Sequence, residues 1–449
     1  MERRLIIAAA WAFVIAAIFY SAWVTGQFAD PAVDRSSGFV SELAARDQSW
    51  SAMFRLTTAV AGLATLIGVA LVPRVAHEWA GWLALSLFGL FTFGEALFPL
   101  DCAALSDPAC ERGERSFSHH AHYVTAALAI ASVTVSMLLL SRTRLAWAVT
   151  TAALLTTVAE LAAIAAGTLA GLAQRAQLAM IALWLLYIAL RLVTHRPVVD
   201  PGVQHVVRAG DGPAVLITSG PSGAWYHWDR VADELAVRHR VIRFDRPGLG
   251  LSACEELPPT LYGEAARLAA LAPAHPELVT VVAHATSAWH AEAFARLHPL
   301  RIRSLVLVDP VVQIARKRGT SQLGRTVGRW LPAMGGTWGA HAAAVVAGPA
   351  LHRAVTGAND RSGLYRSGRV LAATMGEWLA GRDMCAELWK VREEHDFPAI
   401  PVVIINAGRP DAGQEVLARS LGARIVRAEQ RVQLRQPDVV VRACAPQAQ

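Results

Sequence analysis

Two hydrophobic rhythms divide this chain. Through residue 195 the apolar residues come in long runs, and six of them approach the roughly 20 residues a helix needs to cross a hydrocarbon core about 30 Å thick. They are Leu5–Val24, Leu56–Val72, Trp79–Phe98, Ser118–Leu140, Ala146–Leu169 and Ala176–Leu192. Past a short proline-containing stretch, residues 196–202, the runs shorten, become β-branched and alternate with amphipathic segments. That rhythm predicts a parallel sheet with crossover helices. The expected strands are Ala214–Thr218, Arg240–Asp245, Val279–His284, Arg303–Asp309, Pro401–Asn406 and Arg424–Ala428, with a mostly helical insertion over about 311–397. The reading is a six-span membrane domain over 1–195, a linker over 196–202 and a mostly parallel α/β domain over 203–449.

Composition sharpens this division. Hydrophobic residues make up 54% of the 449 and charged ones 17%, and the net charge is +7. The positive charge is nearly all arginine, since Lys317 and Lys390 are the only lysines. A basic balance points to nucleic acid or to an anionic membrane surface. No nucleic-acid motif is present, so the lipid bilayer is the expected partner, and no cofactor is implied. Met-Glu-Arg-Arg before the first run resembles the start of a signal peptide. A clean small-residue cleavage site is missing and further spans follow, so the run reads as an anchor.

Arginine placement sets the expected orientation. With the N-terminus inside, Arg3, Arg4, Arg74, Arg142, Arg144, Arg191 and Arg196 are cytoplasmic, and Arg35, Arg46, Arg55, Arg112, Arg115 and Arg175 are outside. The inner loops are short; the outer ones are long and acidic. Six spans return the chain to the cytoplasm, a reducing compartment that suits the three scattered cysteines, Cys254, Cys385 and Cys444. Cys102 and Cys110 share one outer loop and are expected to close a small disulfide ring there.

Several polar residues break the apolar half. Glu95 and Glu160 fall inside spans three and five. Asp101 follows Phe98-Pro99-Leu100, and His119 and His122 share a face at the start of span four. Ionisable groups at such depth mark functional sites. Asp101, His119 and His122 have the chemistry of a zinc site; the plainer reading is a hydrogen-bonded cluster at the outer interface. This half resembles an actinobacterial family of six-span domains of unknown function, through Ser41-Glu42-Leu43-Ala44-Ala45-Arg46-Asp47, Phe98-Pro99-Leu100-Asp101-Cys102 and Ser118-His119-His120.

The second half carries Gly220-Pro221-Ser222-Gly223 after the first expected strand, Phe244-Asp245-Arg246-Pro247-Gly248-Leu249-Gly250-Leu251-Ser252, the helix Ala291–Pro299 and the strand Leu305–Pro310. In these it resembles the α/β-hydrolase family over residues 203–445. The resemblance implies a lid in the 311–397 insertion, an oxyanion loop at Gly220, Pro221 and Ser222, and a serine, histidine and acid that cleave esters or amides. The serine belongs at a Gly-x-Ser-x-Gly elbow. Here the elbow reads Ala283-His284-Ala285-Thr286-Ser287, so Ala285 replaces the nucleophile and both flanking glycines are gone. Anchoring on Pro437-Asp438 puts Gln430 in the histidine's place, and Asp411 is the nearest match for the acid. Glutamine cannot take a proton near neutral pH.

The expected function is therefore that of a membrane-anchored pseudohydrolase that binds a lipid-like or small hydrophobic ligand, or a protein partner, through the oxyanion loop and Thr286. Two rivals remain: a hydrolase with its nucleophile moved to Thr286 or Ser287, and metal-dependent chemistry at Asp101, His119 and His122. The insertion opens on a basic stretch, Arg316-Lys317-Arg318 to Arg325, Arg329 and Trp330. It reads either as a face lying on an anionic leaflet or as a solvated helix surface.

Overall fold

A computed structural model describes every residue except 1, 30–32, 75–77, 108–109, 111–113, 195–202, 314–318, 361–362, 409–410 and 446–449. The expected linker 196–202 and Arg316, Lys317 and Arg318 lie outside the described residues. The chain divides into two compact units, one of Met1–Val198 with Thr337–Gly339 and the other of Val199–Gly336 with Ala340–Gln449.

The first unit is a helix bundle. Its helices are α1 (Glu2–Tyr20), α2 (Trp23–Ala29), α3 (Ser51–Leu71), α4 (Trp79–Leu97), α5 (Phe117–Leu140), α6 (Arg144–Ala166) and α7 (Ala170–Thr194). Six stretches among the described residues are long and apolar enough to cross a membrane, the first running through α1 and α2 as Glu2–Phe28. Phe13, Trp82, Leu85, Phe88, Met137 and Trp184 are fully buried at the bundle's centre. Small residues let backbones touch: a Cβ on Gly62 would meet the Gly89 carbonyl oxygen at 2.7 Å, so α3 and α4 pack where a larger residue would not fit. Ser116 and Thr143 accept backbone N–H bonds from His119 and Ala146, capping α5 and α6. The buried Glu78 is not left alone, because Arg191 bonds it at 2.5 Å.

The loops at one end of this bundle are tied together. Cys102 and Cys110 are disulfide-bonded, with Cα atoms 5.8 Å apart. Glu42, almost wholly buried, accepts from the Leu105 N–H at 2.7 Å and the Ser106 hydroxyl at 2.5 Å.

The second unit holds a seven-stranded sheet: β1 (Val206–Ala209), β2 (Ala214–Thr218), β3 (Arg240–Phe244), β4 (Val279–His284), β5 (Ile302–Val308), β6 (Val402–Ala407) and β7 (Arg424–Ala428). The order is β1-β3-β2-β4-β5-β6-β7, with β1 antiparallel to β3 and the rest parallel. Both faces are covered, Leu216, Val281 and Leu305 on one and Val215, Val282 and Val306 on the other, which is why the strands read as unbroken apolar runs. Sequence reading missed β1, a four-residue edge strand with no fully buried residue, whose pairing lies on the far side of β3. The crossovers are α8 (Asp229–Leu235), α9 (Leu261–Leu271) and α10 (Ser287–Leu297). Between β5 and β6 come α11 (Gln322–Gly335), α12 (Trp338–Thr356) and α13 (Gly368–Glu394); α14 (Ala412–Leu421), α15 (Val432–Arg435) and α16 (Pro437–Cys444) complete the unit. Arg392 of α13 grips Glu292 of α10 through two bonds of 2.8 and 2.7 Å. This is the α/β-hydrolase fold, with the helical insertion as its lid.

Candidate functional site

The turn from β4 into α10 is sharp. Ala285 sits there at φ 51°, in the left-handed region that side chains avoid at a cost of about 1–2 kcal/mol. Its N–H donates to Val308 at 3.0 Å and its carbonyl accepts from Val311 at 3.2 Å, so the neighbouring strand's end holds the strained conformation in place. The side chain so presented is a methyl group.

The hydroxyls beside it have different fates. Thr286 is half-buried and leads into α10 without capping it. Ser287 is fully buried; its hydroxyl donates to the Ser219 carbonyl at 2.6 Å and accepts from Arg246 at 3.0 Å. Arg246, only 3% exposed, uses all five of its N–H donors. Nε and Nη2 make a fork with the Glu377 carboxylate of α13 at 2.6 and 3.0 Å, Nη2 also reaches Gly220 at 2.9 Å, and Nη1 reaches Ser219 and Ser287. Burial works against the guanidinium's charge, but Glu377 outweighs it and raises the pKa.

The Gly220–Gly223 turn faces the same carboxylate. The Ser222 N–H points at Glu377 at 3.4 Å, its carbonyl accepts from the Tyr365 hydroxyl at 2.6 Å, and its Oγ accepts from Thr374 at 3.2 Å. Gly220 has no room for a side chain: a Cβ there would lie 2.5 Å from His284 Nδ1. Pro221 lies in the turn between these two residues. A void of about 40 Å³ lies between Pro247, Leu331 and Glu377.

Gln430 is exposed in the turn after β7, where its side chain lies over Gly408. Arg431 beside it, at φ 60°, fills the space next to Gly357 of the lid. Asp411 accepts from the Gly413 N–H at 2.7 Å and so caps α14. Asp309, at the end of β5, accepts from Gln414 at 3.0 Å. His227 and His352 stack with ring centroids 5.0 Å apart, and His352 stacks on Tyr365. Burial lowers the pKa of His227 and His290 to about 3 and of His284 and His352 to about 4, so all four are neutral at pH 7. His205 pairs with Asp245 at 2.9 Å, and Asp245 also accepts from the Trp225 and Leu251 N–H groups, which makes it a turn organiser.

In the helix bundle, Asp101, His119 and His122 each have other work. Asp101 accepts from the Ser116 N–H at 2.7 Å and hydroxyl at 2.8 Å. His119 Nδ1 accepts from the Asp101 N–H at 3.2 Å, and His122 Nδ1 bonds the Phe98 carbonyl at 2.9 Å. Together they pin the link between α4 and α5. No set of three or more candidate ligands is arranged for a metal among the described residues. The bundle also holds a cavity of about 590 Å³ whose lining includes Glu95 and Glu160.

Sequence reading had marked Glu95 and Glu160 as polar residues inside spans. It missed the Arg246–Glu377 pair. Arg246 stood within the quoted turn motif but served only to identify the fold, and Glu377 lies in a lid helix with nothing around it to single it out.

Residues 13–191 match the sequence profile of a family described as "Protein of unknown function (DUF998)". No curated protein sequence matches the chain. Among solved structures, an α/β-hydrolase-fold protein from Burkholderia ambifaria is 21% identical, covering 56% of this chain and 98% of its own, with a TM-score of 0.40. A putative epoxide hydrolase mutant from Pseudomonas aeruginosa is 16% identical over 55% and 95%, with a TM-score of 0.43. A haloalkane dehalogenase from Bradyrhizobium elkani is 16% identical over 56% and 94%, with a TM-score of 0.42.

Proposed function

We propose that this multi-pass membrane protein is a pseudohydrolase, whose α/β-hydrolase-fold unit works by binding and not by turnover. The observation that carries the reading is Ala285 at the elbow. Acyl transfer needs an atom that attacks and a base that takes its proton. Ala285 has no such atom, exposed Gln430 is no base, and Ser287 already spends its proton on Ser219. The fork of Arg246 and Glu377 supports the same reading, because it occupies donors that would otherwise face a substrate oxygen. A lipid-like ligand would therefore have to part Glu377 from Arg246 before entering, whereas a protein partner could engage the lid as it stands.

The orientation we propose puts the N-terminus and the hydrolase-fold unit in the cytoplasm. Three spans precede the Cys102–Cys110 loop and six precede the sheet, so the disulfide and the exposed Cys254 fall on opposite sides of the bilayer.

The test is a fluorophosphonate probe applied to the purified full chain, alongside assays with short-chain esters. No labelling and no turnover are expected, nor any from Ala285→Ser with Gln430→His, since Glu377 still fills the site. Robust labelling of the unaltered protein that disappears in Thr286→Ala would overturn the reading. A membrane-impermeant maleimide tests the orientation: Cys254 should react only in opened cells.

A further inference from the structure

The cavity in the helix bundle has features of a binding site that no catalytic reading of the chain requires. Packed interiors leave few voids larger than a water molecule, and about 590 Å³ falls within the range that holds small ligands. Its lining follows α5 from His122 to Thr134, a length of about 18 Å at 1.5 Å per residue, so the space is elongated.

Polar groups are concentrated towards one end. Glu95 lies near the C-terminus of α4, His122 near the start of α5 and Glu160 in the last third of α6. Consecutive spans run in opposite directions, so these three positions fall towards the same end of the bundle, the end that carries the disulfide loop. The far reach is lined by Ile130, Ala131 and Leu178. α6 opens the wall: its buried residues stop at Ala153, and Leu161 and Ile164 are exposed while also lining the space.

The polar end carries two carboxyl side chains, Glu95 and Glu160, in one lining with Tyr20, and Glu160 has the Gln174 side chain as its partner. Arg55 lines the cavity too, and its Nε is bonded to the Ala96 carbonyl at 3.1 Å. Gln177, 2% exposed, bonds Thr157 through its amide nitrogen at 3.0 Å and leaves its Oε1 buried without a donor. The rings of Tyr20, Trp23 and Phe54 stand in the same wall, suited to a cation by their π faces.

We propose that the helix bundle binds a single-chain amphiphile with a primary ammonium head, the head held by Glu95 and Glu160 and the tail lying along α5. The proposal is independent of the missing nucleophile in the other unit.

The full-length protein in zwitterionic nanodiscs is titrated with tritiated dodecylamine, read by scintillation proximity as saturable binding above empty nanodiscs, with competition by unlabelled dodecanol and dodecanoate. Dodecylamine should bind at least tenfold more tightly than either competitor. Glu95→Gln with Glu160→Gln should weaken it at least tenfold while the melting midpoint stays within a few degrees. Should that pair unfold the bundle, Ala126→Trp, placed in the cavity wall, must abolish saturable binding instead. Equal competition by dodecanol, or unchanged affinity in a folded double variant or in Ala126→Trp, would overturn the proposal.

Discussion

The space around Ala285 and the cavity between the apolar helices are both polar places inside an apolar fold, and their polar groups are satisfied in opposite ways. Around Ala285 the chain has supplied its own partners. Glu377 meets Arg246 and the Ser222 N–H, Arg246 meets Ser219, Gly220 and Ser287, and Tyr365 meets Ser222. In the bundle, the Gln177 Oε1 has been left without one. Satisfied buried polar groups specify a structure, and unsatisfied ones specify something still to arrive. The space around Ala285 is closed by the chain's own side chains, while the cavity lies in the half of the chain with no enzyme-like motif.

The strongest way to break this comparison is to remove Glu377. Glu377→Ala strands the Arg246 charge among buried neighbours, and breaking a buried pair from one side costs about 3–5 kcal/mol. Urea denaturation of the detergent-solubilised protein, followed at the hydrolase-fold unit, should show that loss. A cost below about 1 kcal/mol would mean that water replaces the carboxylate freely, and that the lid is not fastened there. The matching change in the bundle, Glu95→Gln, should leave stability nearly unchanged, because no charged partner is lost.

A pH titration sharpens the same contrast. His227, His284, His290 and His352 have folded pKa values of about 3 to 4 against 6.5 for a free imidazole. The unfolded chain therefore binds more protons between these limits. Stability from the four is fully present above about pH 6.5 and is lost as pH falls towards 3–4, each histidine adding at most about 1.4 kcal/mol per pH unit to the slope. His290→Gln should flatten the profile; a profile as steep as before would show that His290 is hydrated.

The disulfide loop is next in size. Opening the ring with Cys102→Ser and Cys110→Ser should cost about 2–3 kcal/mol by chain entropy. The loss should appear in the bundle's thermal midpoint and leave the urea transition of the hydrolase-fold unit in place.

Much of this was legible in the sequence, for physical reasons that also mark its limit. The six spans showed because a bilayer demands long apolar runs, and β2, β4 and β7 matched their expected ends because both faces of the sheet are buried. The elbow position was legible because its neighbours, Phe244–Ser252 and Leu305–Pro310, carry local turn and strand patterns. What could not be read was which side chains meet across long stretches of chain. Arg246 and Glu377 are separated by a lid whose helices carry no fixed spacing, and Glu95 and Glu160 come together only through the packing of the bundle. Gln430 illustrates the same limit: counting back from Pro437 only proposes the position, while its exposure beside Gly408 goes with the left-handed turn at Arg431.

The smallest effect concerns the elbow alone. At φ 51°, Ala285 carries a strain that glycine does not feel, while glycine costs more backbone entropy on folding. These two effects oppose each other, and in a left-handed position the strain is the larger. Ala285→Gly should thus stabilise the hydrolase-fold unit by about 0.5–1 kcal/mol, a small rise in the urea midpoint with no change in slope. The sign matters more than the size. In an active enzyme a strained elbow is repaid by the exposure of its nucleophile, and here a methyl group stands in that place. A destabilised Ala285→Gly would mean that the Ala285 methyl is packed against the lid and contributes more than the strain removes, making the elbow part of the closure held by Glu377.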